Sequence, residues 1–139
     1  MVGLFTRPCV RPTPARQTHA TTLVLNSDGG RESAAEEPAL RVRQSHLDTL
    51  VEYHCLSACT YFFLAGNKRE IADDAELGFH QATVEGISGL GKTLVLAQMA
   101  EYYRSHGVRQ SFIDHIIATP PESMWYPTED ELKKAGVLN

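Results

Sequence analysis

Residues 49–66 read TLVEYHCLSACTYFFLAG. Thr49 to His54 form a β-branched and aromatic run that reads as a strand, and it passes through small residues into a bulky apolar stretch that closes on Gly66. The second half has the pattern of a buried helix stopped by glycine. Strand, tight turn and buried helix in that order make one crossover unit, and repetition of such units indicates an α/β domain. The turn carries one hydroxyl, Ser57, between Cys55 and Cys59.

Upstream, TTLVLN ends in the turn signal NSDGG, so a short strand is expected from Thr22 to Asn26. A helical stretch with Leu40 and Leu47 on one side follows, up to about His46; proline is tolerated only in a first turn, so the helix is expected to begin near Pro38. Residues 1–20 hold repeated prolines and arginines and no acidic group, which reads as a flexible leader ahead of a domain over residues 21–139.

Downstream, residues 67–75 are a polar connection with a short strand around Ile71, and ELGFHQ, residues 76–81, reads as another strand with His80 near its far end. Val95, Met99 and Tyr102, widened by Leu96 and Tyr103, repeat at helical spacing, and a further helix from about Val108 places Phe112, Ile113, Ile116 and Ile117 on one face. TPPESMWYP interrupts the pattern. TEDELKKAG then gives a last helix with a capping box between Thr128 and Glu131 and a stop at Gly136.

The bulk properties narrow the function. A chain of 139 residues with 42% hydrophobic and 22% charged residues suits one globular domain. Its net charge of -4 argues against nucleic acid, whose binding needs clustered Lys and Arg. No apolar run is long enough to cross a bilayer, and the first residues lack the apolar core of a secretory signal. GISGLGKT, Gly86 to Thr93, matches the phosphate-cradling pattern GxxxxGK[ST]. That pattern works only when a strand delivers the loop and a nucleotide-binding sheet surrounds it. Too few strands remain after Lys92, so Lys92 is expected to be a solvated residue at a helix start, with nucleotide binding a distant third reading.

Gly29 with Gly30, Ser57, His80 and an acidic neighbourhood at Glu122 fall at the ends of the expected strands, where open α/β sheets hold ligands. Their chemistry is complementary. Serine becomes a nucleophile when a base such as histidine takes its proton, and glycine amides can approach and stabilise an oxyanion. Each feature taken alone is more often structural, as a cap, a turn or a satisfied polar residue.

In order and spacing, LNSDGG, CLSACTYFFLAG, ELGFHQ and WYPTEDELKKAGVLN resemble the Clp protease proteolytic subunits, and more closely their envelope-associated Clp-protease-like relatives within the ClpP/crotonase fold. The resemblance runs from about Thr22 to the last residue. It implies a spiral of strand–helix units in which Gly29, Gly30 and the Ala58 amide form the oxyanion hole, Ser57 is the nucleophile and His80 the base. The third member falls on Glu122, with Asp114 as the fallback. The resemblance further implies that GISGLGKTLVLAQMAEYYRSHG is the loop and long helix of the handle through which subunits pack into a homo-oligomer. The substrate would be a peptide or protein, with neither metal nor organic cofactor. The leader offers no counterpart to the family's first unit, so the spiral is expected to lack it, and a membrane anchor or signal peptide could be lost with it. For Cys55 and Cys59 two readings stand: a disulfide locking the turn, which envelope kinship favours, or two small buried thiols. A serine hydrolase, first of all a peptidase, is the leading function. A non-catalytic interaction module on the same fold is the alternative.

Overall fold

Residues 19–139 are described by the structure, a computed structural model; the leader expected over residues 1–20 lies almost wholly outside them. The chain runs β1 (Thr22–Ser27), α1 (Glu32–Gln44), β2 (Asp48–Leu56), α2 (Cys59–Leu64), β3 (Arg69–Ile71), β4 (Glu76–Gly78), α3 (Leu90–Ser105), α4 (Gln110–Ala118) and α5 (Glu129–Lys134). β2 is the central strand. It pairs in parallel with β1 on one side and, on the other, with β3 at Thr49 to Val51 and then with β4 at His54 to Leu56. Thr49, Val51 and Cys55 of β2 are fully buried, whereas Glu52 and Tyr53 of the same strand are exposed.

Between β1 and β2 the register slips after Leu25, and Ser27 comes to pair with Cys55. Asn26 fills the gap: its Oδ1 accepts from the Tyr53 amide at 2.8 Å and its Nδ2 donates to Glu52 at 3.1 Å. A side-chain amide thus replaces the missing rungs of the ladder, and the slip carries the chain after β1 toward the end of β2.

α1 begins six residues earlier than the Pro38 reading predicts, at Glu32, with Pro38 inside it. Proline in a helix interior forfeits a hydrogen bond, at about 3 kcal/mol. That cost is met by burial, since α1 packs against α2 and buries Ala35, Ala39 and Val42. The strand expected over residues 76–81 is also shorter. β4 stops at Gly78 because β2, its partner, turns away after Leu56; Phe79 pairs instead with Trp125, through reciprocal bonds of 2.9 and 2.8 Å. Among the described residues no strand lies between Gly78 and Leu90, so the GISGLGKT loop lacks the context of a phosphate cradle. Lys92 stands exposed in the first turn of α3.

Phe63, Phe79, Tyr103, Leu77, Ile113 and Ile116 are the large side chains at the centre of the core. The expected capping box is present, with Thr128 and Glu131 bonded reciprocally at the start of α5. Arg69 closes the opposite end of the molecule. Its guanidinium donates to the carbonyls of Leu64 and His106, each at 3.1 Å, and of Gly136 at 3.0 Å, at the C-terminal ends of α2, α3 and α5. Burial, with Arg43 nearby, lowers its pKa. Among the described residues Arg69 has no carboxylate partner, and the partial negative charge of the helix C-termini offsets that cost. Arg69→Met should therefore lower the unfolding free energy in urea by about 3 kcal/mol, and Arg69→Lys should recover little, because an ammonium cannot reach three carbonyls in one plane.

Candidate active site

Ser57 sits at the top of β2 with φ of 54°, in the left-handed region. That conformation costs a residue with a side chain about 1–2 kcal/mol and persists only where its surroundings hold it. Both main-chain groups are held: the Ser57 amide donates to Gly78 of β4 at 2.9 Å, and its carbonyl accepts from the Thr60 amide at 2.9 Å and the Thr60 hydroxyl at 2.7 Å. The Ser57 side chain makes no hydrogen bond among the described residues.

The loop after β1 is pressed against this turn. A Cβ on Gly29 would lie 2.6 Å from the Leu56 carbonyl oxygen and 2.9 Å from Ser57 Cβ, and φ there is 100°, so only glycine fits. The Gly29 amide donates to the Ser27 hydroxyl at 3.1 Å and is not free for an oxyanion. The amides of Gly30 and Ala58 have no acceptor among the described residues. Asp28 in the same loop reaches His54 Nε2 of β2 at 2.9 Å. Two clefts meet here. One, of about 660 Å³, is lined by Gly30, Glu32, Ser57, Thr83, Glu85 and Val95 among others, and an apolar groove of about 530 Å³ between β1 and α1 is lined by Gly29, Gly30, Ala58, Leu25 and Phe62 among others.

His80 is buried beyond the end of β4, two residues after the Gly78 carbonyl that holds Ser57. Its Nδ1 lies 2.6 Å from the Gln81 carbonyl oxygen. A carbonyl only accepts, so Nδ1 carries the proton and Nε2 is left as the basic nitrogen. No hydrogen bond joins His80 to Ser57, and His80 does not line the cleft that holds Ser57. The expected third member is displaced. Glu122 is exposed and makes no hydrogen bond to His80, and Asp114 is exposed on α4, where it accepts from Gln110 at 2.8 Å. The backbone carbonyl of Gln81, itself fixed by donation of its amide to Thr119 at 2.9 Å, occupies the position expected of a carboxylate. Any residue type supplies a carbonyl, so no sequence signal could have found it. Trp125 is packed against Phe79, Phe112 and His115, as a core aromatic would be.

Cys55 and Cys59 bracket the turn, with Cα atoms 5.3 Å apart and their sulfurs bonded. Among the described residues no helix is long and apolar enough to cross a membrane.

No protein-family model matches the sequence, and no curated protein matches it. Solved structures do. ClpP1 from Listeria monocytogenes matches with a TM-score of 0.67 at 15% identity, and a point mutant of it with 0.64 at 17%; both matches cover 85% of this chain and 70% of the other. The chain has the ClpP fold. At such identities the likeness is one of architecture: a mixed α/β spiral around a parallel sheet.

Glu32, in the first turn of α1, lines the same cleft as Ser57 and was not singled out in the sequence. Burial, reinforced by Glu36 one turn along, pushes its carboxyl up to about 7. A carboxyl whose pKa is raised on folding holds its proton longer in the folded state, so stability falls as pH rises from about 4.5 to about 7. Glu32→Gln should remove that part of the pH dependence and raise the melting temperature at pH 8 but not at pH 4. The gain should be no more than about 1–2 kcal/mol, because the group keeps contact with solvent. Equal effects at the two pH values would refute the assignment.

Proposed function

We propose that the protein is a serine hydrolase, and specifically a peptidase. Ser57 attacks the substrate carbonyl, His80 Nε2 takes its proton and returns it to the leaving amine, and the Gly30 and Ala58 amides stabilise the oxyanion. The observation that carries this reading is the Ser57 turn. A residue held at positive φ by both main-chain groups, with its hydroxyl free and two neighbouring amides unpaired among the described residues, is strain kept where chemistry can use it. Gly29 then serves by its lack of a side chain, letting the loop approach the nucleophile. Catalysis requires His80 to come within hydrogen-bond reach of Ser57, and such contacts commonly tighten only with substrate bound. The Gln81 carbonyl takes over the orienting role expected of Glu122, at some loss of imidazolium stabilisation. No metal or organic cofactor takes part.

The groove beside Gly29 and Ala58 suits the apolar part of an extended peptide, which supports a peptide or protein substrate. Ile87 in the loop before α3 and Leu90 and Leu94 in its first turns are exposed, and this supports a homo-oligomer packed through the handle. The bonded cysteines favour an oxidising location such as the cell envelope. A non-catalytic module on the same fold is the second reading, favoured by two observations: neither Glu122 nor Asp114 bonds to His80, and His80 neither bonds to Ser57 nor lines its cleft.

A fluorophosphonate probe separates the two. The oxidised protein should be labelled, with labelling abolished in Ser57→Ala, lowered at least about a hundredfold in His80→Ala, and unchanged in Glu122→Gln. A folded, assembled sample that stays unlabelled would establish the non-catalytic module. Reduction of Cys55–Cys59, which closes a very short loop, should cost about 2 kcal/mol of stability and slow the labelling.

A further inference from the structure

Behind Ser57 lies a chain of buried hydroxyls that the proposed chemistry does not use. The Thr60 hydroxyl has one hydrogen, which it gives to the Ser57 carbonyl at 2.7 Å. Its oxygen lies 2.7 Å from the phenol oxygen of Tyr103. With the Thr60 hydrogen committed, Tyr103 must be the donor, so the order runs from Tyr103 to Thr60 to the Ser57 carbonyl. Thr60 is fully buried and Tyr103 nearly so. Burial pushes the Tyr103 phenol far above its usual range, which keeps the donated proton in place. A second phenol acts in parallel, as Tyr102 donates to the Tyr61 carbonyl at 2.7 Å and stacks on the Tyr61 ring with centroids 4.2 Å apart.

Tyr102 and Tyr103 both belong to α3, and their acceptors lie in the first turn of α2, directly after Ser57. An apolar contact would have sufficed to pack these helices. Two directed hydrogen bonds instead fix the rotation of α2 about its axis, and with it the tilt of the peptide plane between Ser57 and Ala58. That plane carries both the Ser57 carbonyl and the Ala58 amide.

We infer that Tyr103 and Thr60 are positioning residues, a buried relay from α3 that holds the Ser57–Ala58 peptide plane and so sets the direction of the nucleophile and of one oxyanion donor. The functional half of this inference rests on the hydrolase reading; the structural half does not. The exposed apolar residues Leu90 and Leu94 lie on the same helix, at the end away from the relay.

The test pairs two readouts on the full chain: the rate of fluorophosphonate labelling, and hydrogen exchange at the amides of residues 57–61 against those of β1. Tyr103→Phe and Thr60→Val keep shape and remove one hydroxyl each, whereas Thr60→Ser restores it. Removing a buried hydrogen-bond partner should slow labelling by about ten- to a hundredfold in the first two, and Thr60→Ser should stay within about threefold of the parent protein. Exchange at residues 57–61 should quicken about tenfold in the first two while β1 is unchanged. Labelling and exchange that match the parent in Tyr103→Phe and Thr60→Val would overturn the relay, as would exchange that quickens uniformly, which marks general loosening. If the parent itself is never labelled, the hydrolase reading falls, and the exchange pattern alone decides whether the relay holds the turn. Should Thr60→Val fail to fold, Tyr103→Phe, which leaves the ring packed, carries the decision.

Discussion

The amide of Ser57 donates to the carbonyl of Gly78, and most of the candidate site depends on that bond. It ties the first residue beyond β2 to the end of β4, and so fixes where the chain leaves the sheet. With the carbonyl of the same residue held by Thr60, the backbone has no freedom to relax from its positive φ. Among the described residues the hydroxyl is then the one polar group of Ser57 left without a partner, at a place where Gly29 brings a second backbone within contact. Strain, free hydroxyl and unpaired amides are thus consequences of one local geometry.

That geometry is secured from several directions. The disulfide closes the turn covalently, the loop of Asn26 to Gly29 presses on it from β1, and α3 holds it from below through Tyr103 and Thr60. Far from the turn, Arg69 draws the C-terminal ends of three helices together, among them α2 and α3. A guanidinium there and a pair of phenols near the turn fix the same two helices at separate points, which leaves α2 little room to rotate. The arrangement also explains how a small domain tolerates a proline inside α1: the inner face of that helix closes on α2, whose position is already fixed.

Local sequence patterns made much of the fold legible. TTLVLN and TLVEYH show their strand character through β-branched and aliphatic residues, the helix of Phe112 to Ile116 shows its period, and Thr128 with Glu131 announce a cap that exists as expected. Where the reading failed, a distant contact had outweighed a local rule. Pro38 gave way to the burial of Ala35 and Ala39, and the strand expected to reach His80 lost its partner when β2 turned. The meaning of GISGLGKT likewise depended on what precedes it. The motif alone could not say that no strand delivers it.

By itself the sequence marked the candidate residues for chemistry and their order: the glycine pair, the serine between cysteines, the histidine after a strand. It could do so because those roles require particular functional groups, and functional groups are written in the residue types. Only the tertiary structure decided what stands around them. Glu122 lies close to Trp125 in the chain yet stays away from His80, whose Nδ1 proton goes to a main-chain carbonyl. Backbone groups have no residue identity, and buried hydroxyls such as those of Thr60 and Tyr103 read in sequence as ordinary core positions. Their roles exist only once the helices that carry them have been packed.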